Sequence, residues 1–233
     1  NNQSWTILNY PGATYTQACG ISGNTVAGWY ANSSSPYGNW HGFLYNITTQ
    51  SWATLDYPEA NCPTQAFGIN SSSVVGRYAD SSAHHGFLYD MNTQNWTTLD
   101  DPEATYQPIW VSGISDGSVV GNYYDSHSSS HGFLYNGISW TTLDYPGFSN
   151  TRAQGIDGNT IVGFYLISGS WYGFLYDITT QNWTTLCYPG AAHTEAYGIS
   201  GNTVAGGWCN SSAGNWHGFL YNLPPRLVLT IRV

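Results

Sequence analysis

Positive charge is the scarcest property of this 233-residue chain. It contains no lysine, and its four arginines are Arg77, Arg152, Arg226 and Arg232. The 13 acidic residues leave a formal net charge of −9 and a pI near 4.8. Proteins that bind nucleic acid or an anionic membrane surface use clustered Lys and Arg. We therefore expect neither as a partner.

Long apolar stretches are also missing from the sequence. No run approaches the roughly 18–20 apolar residues that cross a membrane, and no secretory signal is visible at the start, NNQSW. A first residue other than Met suits a processed or trimmed mature protein. Charged residues make up 7% of the chain and aromatic residues 16%, with Asn, Ser and Thr abundant. Surfaces of this composition are common outside the cell, so we expect a secreted, extracellular protein.

The cysteines are few and irregularly placed. Cys19, Cys62, Cys187 and Cys209 interrupt the repeat described below, so they do not belong to its basic scaffold. Four cysteines allow three pairings. Pairing of Cys19 with Cys62 and of Cys187 with Cys209 is one interpretation, and free thiols are the other.

The chain does contain one segment in five near-copies. HGFLYDMNTQNWTTLDDPEA at 85–104 returns as HGFLYNITTQSWATLDYPEA at 41–60 and in related form at 131–148 and 172–191. The tryptophans of its W-T-x-L motif, separated by 47, 44, 44 and 43 residues, are Trp5, Trp52, Trp96, Trp140 and Trp183. A period of about 44 residues lies in the range of propeller blades.

Each unit contains four short runs rich in Val, Ile, Thr and aromatic residues, which is typical of strands. Examples are QAFGI, SVVGRY, HGFLY and NWTTLDY. Turn sequences such as SGNT and SDGS join the first two runs, and NITTQ or DITTQ joins the last two. The pattern predicts an all-β, five-bladed β-propeller with four antiparallel strands per blade. A solenoid is the alternative, but it would need distinct capping repeats at both ends, and the sequence shows none.

The last unit lacks one strand. HGFLYN at 217–222 is not followed by W-T-x-L, whereas the chain opens with an isolated SWTILNYPG at 4–12. If the N-terminal strand pairs into the last blade, the ring closes without an open sheet edge. We therefore predict one domain over 1–222 and a non-repeat tail over 223–233. The predicted blades are about 13–57, 58–101, 102–145, 146–188, and 189–222 together with 4–10.

The recurring HGFLY, TTLDYPG and GI…VVG motifs resemble the HAF-type repeat of bacterial extracellular proteins. The resemblance covers residues 4–222 and implies an exported protein. It implies no particular reaction, and propeller architecture alone does not define a function.

Residues present in every blade are most simply explained by what every blade needs. The histidines that precede GFLY are His41, His85, His131 and His217. One histidine per blade places them far apart, so we expect each to bond a neighbour's backbone rather than a metal. The repeated aromatics are expected to pack the blades, and the V-x-G glycines to let sheets approach closely. We predict no metal site and no cofactor.

Length variation falls on one face of the predicted propeller. The connections between strands two and three and between successive blades share this face, and both vary in length. Blade one has ANSSSPYGNW before its HG dipeptide, whereas blade two has only ADSSAH. Variable loops on a rigid scaffold are a common place for ligands. We therefore expect the binding site on this face.

Aromatic and amide side chains on this face suit a sugar. Trp40, Trp171 and Trp216 directly precede the HG position, or its equivalent, in blades one, four and five. A sugar stacks its C–H face on an aromatic ring while its hydroxyls bond amides. The candidate ligand-binding residues are Trp40, Trp171, Trp216, Tyr37, Asn39, Asn215, Gln17, Gln65, Trp110 and Tyr197. The alternative is that these tryptophans only cover blade edges.

An enzyme at the channel mouth is the competing interpretation. One position of the innermost strand differs in every blade, and its residues are Gln17, Gln65, Trp110, Arg152 and Glu195. Arg152 and Glu195 come from adjacent blades, with His193 and Tyr197 close by, so they could form a cluster suited to general acid–base chemistry. Glycosidases use a pair of acids, however, and only one of these five residues is acidic.

The sequence thus favours a monomeric, secreted, lectin-like module that binds an extracellular glycan or polysaccharide. A polysaccharide-active glycoside hydrolase or lyase is the alternative, and its catalytic residues would be Glu195, Arg152 and His193. A protein-interaction scaffold is the third interpretation, because it needs neither an aromatic sugar platform nor paired acids.

Overall fold

The computed structural model of the protein describes residues 5–32, 40–58, 63–81, 83–104, 106–211 and 214–224. The regular elements within these ranges are all strands, as the sequence predicts. In chain order they are β1 (Tyr15–Ser22), β2 (Thr25–Ala31), β3 (Trp40–Asn46), β4 (Ser51–Leu55), β5 (Thr64–Ile69), β6 (Ser73–Ala79), β7 (His84–Asp90), β8 (Trp96–Leu99), β9 (Tyr106–Ser115), β10 (Ser118–Tyr124), β11 (Ser130–Tyr135), β12 (Trp140–Leu143), β13 (Thr151–Asp157), β14 (Thr160–Ile167), β15 (Ser170–Asp177), β16 (Asn182–Leu186), β17 (His193–Ser200), β18 (Thr203–Cys209) and β19 (His217–Asn222).

The strands form five antiparallel sheets, and within each sheet every strand pairs with the strand that is next to it in sequence. Four sheets have four strands each: β1–β4, β5–β8, β9–β12 and β13–β16. Within the described ranges, the fifth sheet consists of β17–β19. We call the sheets blades one to five. The first strand of each later blade packs against the first three strands of the blade before it, so the blades follow one another around a common axis. This arrangement confirms the predicted five-bladed, all-β fold.

The phenylalanine of GFLY forms the centre of each of the first four blades. These residues are fully buried, and they are Phe43, Phe87, Phe133 and Phe174. The tryptophan of W-T-x-L meets each of them edge-on, with ring centroids 4.9–5.1 Å apart. Burial of one such side chain stabilises a fold by about 1.5–3 kcal/mol. The expected packing role of the tryptophans is confirmed in these four blades.

The glycine of V-x-G is required by a close approach within each blade. At Gly121, a Cβ atom would lie 1.9 Å from the carbonyl oxygen of Trp110 and 2.8 Å from the ring of Phe133. The glycines with equivalent neighbours are Gly28, Gly76, Gly163 and Gly206. The close approach therefore joins the first three strands of one blade. The expectation that it lies between sheets is wrong.

A β-bulge interrupts the first strand of every blade at the same place. In blade one, Ala18 pairs with Gly28 and Gly20 pairs with Ala27, so Cys19 is the extra residue. The equivalent bulge residues are Phe67, Ser112, Gln154 and Tyr197. A bulge re-aims the side chain of its extra residue. Each blade therefore presents one additional side chain, which differs from blade to blade.

The histidine before GFLY bonds a carboxylate of its own blade in blades one to three. The pairs, with Nδ1 to carboxylate oxygen distances of 2.8–2.9 Å, are His41–Asp56, His85–Asp100 and His131–Asp144. The strand register causes this pairing, because the glycine after the histidine lies opposite the leucine before the aspartate. In blade four, Tyr172 and Cys187 replace both partners. The expected bond to a neighbour's backbone is therefore wrong for these three histidines.

Blade five differs at its outer edge. Residues 5–14 form no strand. Instead, Leu8 and Tyr10 pack on blade one, where Tyr10 stacks on Tyr30 with ring centroids 3.6 Å apart. Trp5 is 92% exposed, whereas its four counterparts are half-buried. The pairing of residues 4–10 with blade five therefore stays a prediction, and residue 4 lies outside the described ranges.

The inner strand of blade five also lacks the contact that its counterparts make. A Cβ atom at Gly155 would meet blade five at 3.0 Å, whereas one at Gly198 would meet nothing within 4 Å. No described residue therefore packs against Gly198 on the side of blade five that would face blade one. The proposed tail is described only as far as residue 224.

Candidate functional site

Residues that differ between blades occupy equivalent positions in all five sheets. The first strands supply Gln17, Gln65, Trp110, Arg152 and Glu195, and the second strands place Trp29, Arg77, Asn122, Phe164 and Gly207 opposite them. The third row lies within one residue of the start of the third strand and consists of Trp40, His84, Ser130, Trp171 and Trp216. We call these residues, together with the five bulge residues, the variable surface.

Arg77 is the first of two cations on the variable surface. Its side chain is buried, and its Nε donates a hydrogen bond to Gln65 Oε1 at 2.7 Å. Its Cζ atom lies 3.6 Å from the ring centroid of Trp110 and 5.8 Å from that of Trp40. Cation–π contact stabilises the guanidinium, whereas burial lowers the pKa of Arg77 to about 10. Arg77 therefore stays charged at neutral pH and links blades one, two and three.

Arg152 lines a cavity of about 250 Å³ between blades three and four. Its Nη2 donates a hydrogen bond to the Tyr124 hydroxyl at 3.0 Å, and its Cζ lies 5.1 Å from the ring centroid of Trp171. Its Nε is buried and has no hydrogen-bond partner among the described residues. The other lining residues are Trp110, Ser112, Asn122, Tyr124, Gln154 and Phe164. Aromatic rings, amides, hydroxyls and a guanidinium therefore share one cavity.

The acid–base candidates of blade five form local hydrogen bonds. The Tyr197 hydroxyl donates to Glu195 Oε2 at 2.8 Å. Burial and this carboxylate together raise the pKa of Tyr197 above its usual range. His193 is buried, and its Nδ1 accepts a hydrogen bond from the backbone N–H of Trp171 at 3.1 Å. His193 thus holds the start of β15 in place.

The structure does not bring Arg152 and Glu195 together. In the described part of the chain, no hydrogen bond or ion pair joins them. Arg152 instead contacts Tyr124 of the preceding blade, because a hydroxyl acceptor and aromatic rings surround its guanidinium there. The catalytic role of Glu195, Arg152 and His193 stays a prediction.

The three tryptophans of the predicted sugar platform lie on the variable surface in different surroundings. Trp40 is half-buried, with its ring centroid 5.5 Å from that of Trp29. Trp171 meets Phe164 edge-on at 5.1 Å. Trp216 is 47% exposed and is the most accessible of the three.

The remaining predicted ligand-binding residues are scattered. Gln65 is buried and bonded to Arg77, whereas Gln17 is exposed and accepts a hydrogen bond from Tyr15. Asn215 is exposed. Tyr37 and Asn39 lie outside the described ranges.

The sequence interpretation missed several residues of the cavity. They are Ser112, Asn122, Tyr124, Gln154 and Phe164. A signal was present for four of them, because two positions vary among otherwise similar repeats. One position follows V-x-G, or I-V-G in blade four, and holds Asn122 and Phe164. The other is the bulge residue directly before Gly-Ile, which is Ser112 in blade three and Gln154 in blade four. Variation at a fixed position indicates that the scaffold does not constrain the side chain there.

Neither metal-binding clusters nor disulfides are found in the described residues. No group of three or more His, Cys, Asp or Glu side chains within those ranges is placed to hold a metal ion. Cys19, Cys187 and Cys209 are free thiols. The pairing of Cys187 with Cys209 is therefore wrong for this structure, since Cys187 follows β16 of blade four and is exposed, whereas Cys209 is buried at the end of β18 in blade five. Cys62 is not among the described residues.

The part of the chain that the structure describes contains no helix with the length and apolar character needed to cross a membrane.

Comparisons with known proteins agree on the fold. No family model and no curated protein matches the chain. The β-propeller domain of the Trilobed protease from Pyrococcus furiosus is 8% identical, with a TM-score of 0.50 over 92% of this chain and 84% of that one. The SapL1 lectin, solved with alpha methyl fucoside, is 12% identical, with a TM-score of 0.53 over 90% and 81%.

A chain of the nidogen/laminin complex is 8% identical, with a TM-score of 0.57 over 93% of this chain and 78% of that one. Identities this low show likeness of fold alone. The repeat, the five sheets and these neighbours together identify the chain as a five-bladed β-propeller.

Proposed function

We propose that this protein is a carbohydrate-binding propeller of the HAF-repeat type, and that it binds saccharides in the cavity between blades three and four. The observation that carries the proposal is the lining of this cavity, which combines the rings of Trp110 and Phe164 with the amides of Asn122 and Gln154. Its exported location and its action as a monomer are part of the same proposal.

A sugar ring matches this lining in both shape and chemistry. Its C–H face stacks on Trp110 or Phe164, and its hydroxyls bond the amides and the Ser112 hydroxyl. The volume of about 250 Å³ is slightly below the range of about 300–1,000 Å³ that is usual for sites of drug-sized ligands. One sugar unit therefore fills the cavity, and further units extend over the variable surface towards Trp171.

Two further observations support binding over catalysis. The SapL1 lectin holds a methyl fucoside on a propeller fold, so this fold can present a sugar site. Glycosidases need two carboxyl groups flanking the scissile bond, whereas the 250 Å³ cavity has no acidic residue among its described lining. A binding module needs no such pair.

A glycan array followed by isothermal titration calorimetry tests the proposal. The purified chain is applied to the array, and the best saccharide is titrated into wild type and into the double variant Asn122→Ala/Gln154→Ala. Each lost hydrogen bond is worth about 0.5–1.5 kcal/mol, so the double variant should bind about 5- to 150-fold more weakly.

Ile138→Ala serves as the matched control. Ile138 is 92% exposed in the β11–β12 connection, on the opposite end of blade three from the cavity, so its replacement should leave binding unchanged. Thermal unfolding of each variant shows that it is folded. A folded wild-type chain that binds no saccharide on the array, or a double variant that binds as well as wild type, contradicts the proposal.

A further inference from the structure

The two described arginines lie on the variable surface, and neither has a carboxylate partner among the residues that the structure describes. Among the described residues, every ion pair joins a histidine to an aspartate, and none includes Arg77 or Arg152. Glu59 is the one acidic residue outside the described ranges. A chain with a net charge of −9 thus concentrates its two described guanidiniums on one surface.

Burial of a cation without a counter-ion is unfavourable. Arg77 offsets part of this cost through its hydrogen bond to Gln65 and its contact with the Trp110 ring. Arg152 has unused donor capacity on its two terminal nitrogens, because a guanidinium carries five N–H donors and the one hydrogen bond it forms among the described residues runs from Nη2 to the Tyr124 hydroxyl. A planar carboxylate can accept two parallel hydrogen bonds from such a group.

We propose that the cavity between blades three and four selects acidic saccharides, and that Arg152 binds the carboxylate of the sugar. This inference rests on the proposed function and narrows it to sugars that carry a carboxylate, such as uronic acids. The aromatic rings hold the sugar ring, and Asn122 and Gln154 bond its hydroxyls. Arg77 does not line the cavity; it supports the Trp110 ring from outside at 3.6 Å.

Calorimetry with three disaccharides of equal length tests the inference. One contains a uronic acid, the second is the same sugar with its carboxyl group reduced to a hydroxymethyl group, and the third is this reduced sugar carrying a sulfate ester, so that it is anionic without a carboxylate. Wild type should bind the uronate about 10- to 150-fold more tightly than its reduced form, the range for hydrogen bonds to a charged group. The preference should weaken as salt concentration rises, because ions screen the pair.

Two substitutions at Arg152 assign the preference to its guanidinium. Arg152→Met keeps the apolar stem and removes the charge, so it should bind the uronate and the reduced sugar equally. Arg152→Lys keeps the charge but loses the planar fork of N–H donors, so it should lose most of the preference for the uronate over the reduced sugar. This variant tests the inference independently if Arg152→Met does not fold. Arg77→Met is the comparison variant, because it removes the same charge at a residue outside the cavity lining. Loss of its contact with Trp110 should weaken binding of the uronate and of the reduced sugar alike, so the ratio of the two affinities should stay within about threefold of wild type.

Each outcome separates this inference from the function on which it rests. Equal binding of the uronate and the reduced sugar by wild type overturns the inference but leaves carbohydrate binding intact. A preference for the sulfated sugar overturns the carboxylate assignment, and equal loss of preference in the Arg77 and Arg152 variants overturns the role of Arg152. Absence of binding to every saccharide on the array overturns the proposed function itself.

Discussion

Replacement of Trp5 by alanine tests whether the N-terminal segment completes blade five. In blade two, the equivalent Trp96 is surrounded by three rings, those of Tyr57, Phe87 and Tyr89, with ring centroids 5.2, 5.0 and 4.6 Å away. In blade five, the equivalent rings line a cavity of about 410 Å³, and they belong to Tyr188, Phe219 and Tyr221. We therefore predict that the Trp5 ring enters this cavity when the propeller closes.

The same comparison explains two other features of the open edge. A Cβ atom at Gly86 would lie 2.6 Å from the carbonyl oxygen of Leu99 in the fourth strand, whereas at Gly218 its nearest neighbour is 4.0 Å away. Leu220 in β19 is 74% exposed. A strand from residues 4–10 would place Leu8 over Gly218, as Leu99 lies over Gly86, and would cover this edge.

The size of the effect follows from the burial of the equivalent tryptophans. Truncation of a fully buried Trp to Ala costs about 3–5 kcal/mol, and the four equivalents are only half-buried. We therefore expect Trp5→Ala to lower the free energy of unfolding by about 1.5–3 kcal/mol. For a domain of this size the melting temperature should fall by about 3–12 °C.

Thermal and urea unfolding of wild type, Trp5→Ala and Trp96→Ala provide the measurement. Trp96→Ala is the matched control, because its ring is packed within a complete blade and its loss must destabilise the protein. If Trp5→Ala unfolds within about 0.5 kcal/mol of wild type, as an exposed side chain would, while Trp96→Ala is destabilised, the closure hypothesis is refuted. Deletion of residues 1–12 is a less specific test, because it also removes the contacts of Leu8 and Tyr10 with blade one.

Two further predictions concern the scaffold and the variable surface. Gly121→Ala should lower the free energy of unfolding by about 1–3 kcal/mol or more, because its Cβ would collide with the Trp110 carbonyl; urea unfolding indistinguishable from wild type would disprove this. Burial, followed by the charge of Arg77, holds the pKa of His84 below its usual value of 6.5. Arg77→Met should raise that pKa in an NMR titration, and an unchanged or lower value would contradict the electrostatic contact. Since the folded state disfavours protonated His84, neutral His84 costs the fold nothing above the unfolded-state pKa, and stability is lost as the pH falls from there through the lower folded-state pKa.

Most of the fold could be predicted from the sequence repeat. A period set by the W-T-x-L tryptophans, strand-forming residues and turn dipeptides predicted four strands per blade, because these signals are local and recur in each copy. The β-bulge was not predicted, since a single extra residue leaves no distinct composition in A-x-G-I. The histidine–aspartate pairs were missed for a related reason. They depend on the register between the third and fourth strands, which the sequence alone did not define.

The site was predicted only in part, because its residues meet through the arrangement of the blades. Trp110 and Arg152 were among the predicted residues, and both line the cavity. Their partners Asn122 and Gln154 lie next to them only through strand pairing and the bulge. Conversely, the sequence suggested that Arg152 meets Glu195, because they occupy equivalent positions in the adjacent blades four and five. In the structure, aromatic packing and the Tyr124 hydroxyl direct the Arg152 side chain towards blade three instead.

The bulge has a consequence for how the variable surface can change without change of the fold. Core stability depends on the Phe, Trp, Leu and Gly residues that every blade repeats, while the bulge holds a different residue in each: Cys19, Phe67, Ser112, Gln154 or Tyr197. Mutations at these five positions leave the repeated framework untouched. The side chains that the variable surface presents, and with them the preference of the proposed sugar site, can therefore change by single amino-acid exchanges in one blade at a time while the fold is retained.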